Sequence, residues 1–275
     1  MSGKFRRGVS ITRDSLDMFR DNPRLALLPF LSLLSMGSAF AIVLGTAFYY
    51  GFAESLITNE LIQYGGIFIV FAVSSSVGTF FNAAVVHCAS RYFDGKETSV
   101  RDGLAAAWQA RWKIALWAIT AATLGTVLHI IDDNLGLLGS LAQALFNLAW
   151  ALLTFFVVPV IVLEDTGSIR SILQESGAAF KETWGESVTA SVGVSVAFLP
   201  VGIVGLAGLG YAYFLLDGLS AYFVGAIGFV LLVAAMVVAQ VVGMVVRTAL
   251  YRYATDQEQV GPFEGRNPDY IFPSD

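Results

Sequence analysis

Cysteine, histidine and charge are all scarce in this chain. Among 275 residues there is one cysteine, Cys88, and there are two histidines, His87 and His129. A lone thiol excludes any disulfide within the chain. No HExxH zinc helix, CxxC pair or phosphate-binding P-loop is present, nor is a GxSxG nucleophile elbow. Charged residues make up 13%, about half of the roughly 25% found in soluble domains. With 56% hydrophobic residues and a mean hydropathy of +0.69, the composition excludes a disordered chain and a small disulfide scaffold. It disfavours a soluble enzyme.

The remaining ligand-type residues form no site. His129 lies near Asp132 and Asp133, but so short a cluster on a turn reads as solvated and helix-capping rather than metal-binding. Cys88 beside His87 reads as a buried, inert thiol. Asp102-Gly103 opens like the metal motif of lipid head-group transferases, but the downstream acids of that motif are missing. No catalytic constellation is found, and no cofactor, metal or nucleic-acid partner is expected.

What is abundant is uninterrupted apolar sequence. Six charge-free runs, Leu25–Ala53, Leu61–Ser90, Ile114–Ile131, Asn134–Leu163, Ser187–Leu216 and Gly218–Val246, take up 166 of the 275 residues. A spanning helix needs about 20 apolar residues, and in lipid each backbone amide must be satisfied within its own segment. The runs therefore predict an all-α fold, a polytopic transmembrane helical bundle of six spans. The first run is about twice the length of a signal-peptide core of roughly 7–15 residues, so it is read as a retained span.

Lys and Arg set the orientation. All 16 fall before run one, between runs two and three, between four and five, or after six. The other connections, 54–60, 132–133 and 217, hold none. This pattern places both termini in the cytoplasm of a cell-membrane protein with three short external loops. The expected organisation is a cytoplasmic amphipathic helix over 1–24, a six-span domain over 25–254, and an acidic, disordered cytoplasmic tail over 255–275.

The basic segments are themselves patterned. Phe5–Phe19, Ser99–Trp112 and Ser168–Trp184 each place apolar residues on one helical stripe, which predicts three interfacial helices. Each precedes two spans, and Phe19, Trp108 and Phe180 occupy equivalent places, which fits an internal triplication. It fits equally the general liking of helices for aromatics where they enter a membrane. Trp108, Trp112, Trp184, Arg247 and Arg252 are the expected headgroup anchors. Arg247 or Arg252 could instead pair with Glu164, Asp165 or Glu186.

Inside the runs, small residues repeat every fourth position at Gly37, Ala41 and Gly45, and again at Ala235, Ala239 and Gly243. Such rows serve close helix packing within the chain, or a homo-oligomer or membrane-protein partner. Pro159 and Pro200 are expected to break their helices, as some transporters do to build a solute site. Asn82, Asn147 and Gln240 are the polar residues that could line such a cavity. No acid or base lies at the centre of a span, which argues against a proton relay or ion-coupled pump.

One pattern goes beyond composition. Trp150 is followed by Thr154-Phe155-Phe156-Val157-Val158-Pro159 and Val160-Ile161-Val162-Leu163-Glu164-Asp165. Then come Ser168-Ile169-Arg170-Ser171-Ile172 and Phe180-Lys181-Glu182-Thr183-Trp184-Gly185-Glu186. The last span closes on Thr248-Ala249-Leu250-Tyr251-Arg252-Tyr253-Ala254, and the chain enters its first span through Ser15, Phe19, Asn22 and Pro23. This resembles an uncharacterised family of six-span integral membrane proteins, common in halophilic archaea and found in bacteria. That family is distantly similar to the membrane domain attached to some glycerophosphodiester phosphodiesterases. The resemblance implies topology and carries no activity. The expected function is therefore non-enzymatic: a multi-pass protein that organises membrane lipids or a partner at the cytoplasmic face. The alternative is a carrier or channel for a small neutral or apolar solute.

Overall fold

A computed structural model describes residues 23–215 and 218–255, with the backbone alone in a few stretches, chiefly 132–142 and 184–190. The amphipathic segment Phe5–Phe19 and the acidic tail beyond Thr255 lie outside the described residues. Among the described residues a short 3-10 turn at Pro23–Ala26 leads into nine α-helices. They are α1 (Leu27–Tyr49), α2 (Phe52–Thr58), α3 (Glu60–Phe93), α4 (Val100–Gln109), α5 (Arg111–Leu153), α6 (Val157–Leu163), α7 (Ile169–Glu182), α8 (Trp184–Leu215) and α9 (Gly218–Ala254). No strand occurs among the described residues, so the fold is all-α as the apolar runs predict. Among the described residues five stretches are long and apolar enough to cross a membrane: Arg24–Tyr49, Glu60–Phe93, Arg111–Ile131, Gln143–Leu163 and Gly218–Ala254. Within α8, Phe198–Phe214 is a shorter apolar stretch.

The helix ends follow local chemistry. Asn59 Oδ1 accepts the Ile62 amide at 3.2 Å and opens α3. At the other end Gly95 takes a left-handed φ of 67°. This lets the Gly95 and Lys96 amides donate to Tyr92 O and Arg91 O, the glycine-closed helix end. Ser99 and Asp102 form a reciprocal capping box at the start of α4: each side chain accepts the other's backbone amide, both at 3.2 Å. Asp102, which opens a transferase-like motif in the sequence, is thus used as a cap.

The described residues divide between two compact units. The first, within Phe30–Cys88 and Thr98–Glu182, contains most of α1 and α3 together with α2 and α4 to α7. Helix α5 is helical over 43 residues, which would be about 65 Å if straight. It is not straight. The rings of Trp117 and Trp150 stack with centroids 5.8 Å apart, although 33 residues of straight helix would separate them by about 50 Å. The chain therefore reverses between them, and Arg111–Ile131 and Gln143–Leu163 are the two arms of a helical hairpin. The sequence pattern placed this reversal as a loop at Asp132–Asp133, whereas the helical backbone continues through both residues. The charge there was a true signal of a turn region, but neither residue is a helix breaker. Gly136 and Gly139 come just after.

The second unit lies within Met1–Pro29, Ala89–Glu97 and Thr183–Asp275. Its centre is the antiparallel pair α8 and α9. Pro200 lies inside α8, and the helix continues past it as one element, so Pro200 does not end it. The pairing depends on glycine. A Cβ on Gly228 would lie 2.8 Å from Gly205 O and 2.9 Å from Leu209 N, and one on Gly205 would lie 2.9 Å from Gly228 O and Leu232 N. Backbone meets backbone there, so no side chain can move aside. The rows singled out in the sequence do not make this contact: added Cβ atoms on Gly37, Gly45 and Gly243 would meet nothing within 4 Å.

Burial is uneven along the helices. In α3 it gathers in the last third, with Ala83, Ala84, Val86 and Cys88 fully buried, and in α9 in the final turns around Val242 and Tyr251. The opposite ends, the ones without Lys or Arg, expose Phe48, Tyr49, Tyr213, Phe214, Leu219 and Tyr222. Exposed apolar surface on this scale marks a chain whose surroundings are themselves apolar.

Gly228→Ala is expected to lower the thermal unfolding midpoint of the detergent-solubilised protein, with an overpacking cost of about 1–3 kcal/mol. Gly210→Ala should leave it nearly unchanged, because its Cβ would meet open space. Equal melting of the two variants would contradict the backbone contact.

Candidate functional site at the basic loops

The helices of the basic loops are held from beneath. Gly103 of α4 sits on α3 so closely that a Cβ would come within 2.7 Å of Ala84 O and 2.8 Å of Cys88 Sγ. The Cys88 thiol donates to Ser99 O at 3.5 Å and is fully buried, as expected of an inert core thiol. With Gly103 and Ala107 inward, α4 turns Trp108 outward, 63% exposed, and Trp112 follows at the start of α5, 75% exposed. Between them Arg111 places its guanidinium 5.5 Å from the Trp108 ring centroid and 5.7 Å from that of Trp112. Its Nη1 donates to Trp108 O at 3.1 Å. Two indoles and one cation therefore form a single exposed group, with cation–π attraction fixing the arginine over both rings.

The next basic segment is fixed by backbone chemistry. Span four breaks after Leu153, and the turn Thr154–Phe156 precedes α6. Pro159 is the third residue of α6, where a missing amide costs no helical bond. So the break lies just before the proline. Ser176 of α7 repairs it: its Oγ accepts the Phe156 amide at 3.1 Å and its hydroxyl donates to Leu153 O at 2.7 Å. Ser176 is fully buried. Phe155 and Phe180 meet edge-to-face at 5.5 Å and close the same joint. Phe180 is thus core while Trp108 is exposed, so these two places of the apparent repeat have opposite environments. Lys113 Nζ donates to Glu164 O at 2.7 Å, ending α6 on a cation as its dipole favours. Burial, and then the Glu164 charge, push the Glu175 carboxyl up, with Lys113 opposing.

In the other unit Arg252 Nη2 meets Asp94 Oδ1 at 2.7 Å and Nη1 donates to Ser90 O at 2.9 Å. The acid is therefore Asp94, from the α3–α4 connection, where the sequence pattern pointed to Glu164, Asp165 and Glu186. Long-range pairing along a 37-residue helix could not be read from spacing. Burial pushes the Asp94 carboxyl up, but the hydrogen bond and charge of Arg252, with help from Lys96, outweigh this and hold it below 3.8.

The remaining expected residues are scattered. Arg247 is half-buried, Asp165 is exposed, and the side chains of Trp184 and Glu186 lie outside the description. Asn82 is half-buried in α3, while Asn147 and Gln240 are exposed on α5 and α9. No group of three His, Cys, Asp or Glu suited to a metal occurs among the described residues. The residues that sequence reasoning missed are Arg111, Ser176 and Asp94. Only Arg111 left a signal, by its place between two tryptophans.

An all-α fold whose described residues include five apolar stretches long enough to cross a membrane defines the class of this chain. It belongs to a family of unknown function, DUF6159, which matches residues 61–261. No curated protein and no solved structure matches it.

Ser176→Ala is expected to destabilise the protein by about 1–3 kcal/mol for each buried backbone group left unpaired, read as a lower unfolding midpoint. Because the folded carboxyl of Asp94 sits below its unfolded value, its contribution is present above pH 3.8 and is lost as pH falls through the folded pKa. Asp94→Asn should therefore lower stability at neutral pH and flatten the acid limb of a stability–pH profile.

Proposed function

We propose that this is a non-enzymatic multi-pass membrane protein, with both termini cytoplasmic, that gathers anionic lipid headgroups at its basic face. The observation that carries the reading is the Trp108–Arg111–Trp112 group. Two indoles more than half exposed, one on the closely seated α4 and one at the start of α5, are costly in water and favourable at a headgroup layer. The arginine they hold has donors left over for phosphate. The confinement of all 16 Lys and Arg to alternate loops supports the same side as cytoplasmic. A carrier has less support. The break before Pro159 is stitched by Ser176, α8 runs through Pro200, and Asn147 and Gln240 face outward.

Purified protein in neutral detergent is expected to gain thermal stability on addition of phosphatidylglycerol, but not of phosphatidylcholine. A ligand at a hundredfold its Kd adds about 2.7 kcal/mol. The double variant Trp108→Ala, Trp112→Ala and the single variant Arg111→Glu should each lose most of that gain. An equal gain in wild type and variants would overturn the headgroup reading.

A further inference from the structure

The ends of α1 and α3 that carry no Lys or Arg enclose a cavity of about 910 Å³ with α2 and His129 of α5. This is at the upper end of the roughly 300–1,000 Å³ of small-molecule sites. All of its lining belongs to one unit. Its walls are apolar, built from residues such as Ile42, Phe52, Leu56, Ile67, Val70 and Phe71. No Lys, Arg, Asp or Glu occurs among the described lining residues. Polar groups are few. They are Thr46, whose hydroxyl donates to Ile42 O at 2.7 Å, Gln63 and His129.

Gln63 and His129 both lie toward the ends of their helices that carry no Lys or Arg. Gln63 is in the first turn of α3, and His129 is near the end of the first arm of α5. From Gln63 to Phe71 the wall descends eight residues of helix, about 12 Å. Half of a hydrocarbon core of about 30 Å is roughly 15 Å. The cavity is thus a slot with a polar rim at the helix ends, apolar below, and nearly as deep as one leaflet is thick.

We propose that this slot binds the acyl chain of a phospholipid from the leaflet opposite the basic loops, with Gln63 and His129 at the level of its ester and glycerol groups. An uncharged lining asks nothing of the headgroup, so the site selects for chain and not for charge. Gly65 lines the slot, and a Cβ there would meet nothing within 4 Å, so a larger side chain can fill the space without displacing backbone. The proposal rests on the membrane-spanning part of the reading above and not on its headgroup part.

The test uses the full chain reconstituted in phosphatidylcholine vesicles doped with a phosphatidylcholine that carries a photoactivatable diazirine in its acyl chain. Adducts are mapped by peptide mass spectrometry. Labelling of Ile67–Phe71 and Ile42–Ala47 is expected to exceed several-fold that of Leu34, an exposed residue of the same α1. Gly65→Phe should remove that excess while leaving Leu34 labelled, and Ile67→Trp provides a second filling variant should the first fail to fold. Labelling of Leu34 with no excess in the slot, or an excess that both filling variants retain, would overturn the site while leaving membrane insertion intact. Absence of labelling anywhere would overturn both. Disulfide-linked dimers of a Cys88→Ala, Leu44→Cys variant oxidised in the same vesicles, with no lipid adducts in the slot, would assign the slot to a second chain and overturn the lipid proposal.

Discussion

A backbone surrounded by hydrocarbon has no water to bond to, so every amide and carbonyl must find its partner in the protein. Most of this chain answers by remaining helical. Where it does not, between Leu153 and Val157, a side chain from another element supplies the missing bonds. Ser176 accepts from one side of the break and donates to the other. Helix α7 is thereby fixed to the hairpin by a polar bond in an otherwise apolar joint. The lysine that caps α6 and the phenylalanines that close around the turn are arranged about that same point.

A second constraint is that lipid offers helices no hydrophobic reason to associate, leaving close packing to do it. Contact between α8 and α9 shows what this requires. Gly205, Gly208 and Gly228 bring two backbones together, so that at this point the antiparallel pair meets with no side chain between. Elsewhere the helices present large apolar residues outward, and burial concentrates near the basic loops.

How much of this was legible in the sequence depended on the range of the interaction. The all-α class and the membrane-length stretches follow from the charge-free runs, because length and apolarity act locally. The α4 cap was carried by Ser99 and Asp102, three residues apart, and the outward Trp108 by its place on the stripe. Pro200 does not end its helix, because a proline in a long helix can be tolerated by its neighbours. Pro159 did mark a break, displaced to the preceding turn because the first turn of a helix accommodates proline. The partners of Arg252 and of the Phe156 amide lie far away in sequence, and no periodicity announces them. Glycine rows were ambiguous for the same reason: spacing shows that a face is small, but not which helix it meets.

The joint at Ser176 also has a consequence in time. The chain is made from its N-terminus, so the hairpin of Arg111–Leu163 is complete before residue 176 exists. Until α7 emerges and docks, the Phe156 amide and Leu153 carbonyl have no partner from that helix. The second arm must wait in a setting that still supplies water or another donor and acceptor, and it becomes self-sufficient only when the next segment arrives. Insertion of the fourth apolar stretch is in this sense finished by a residue that never enters it.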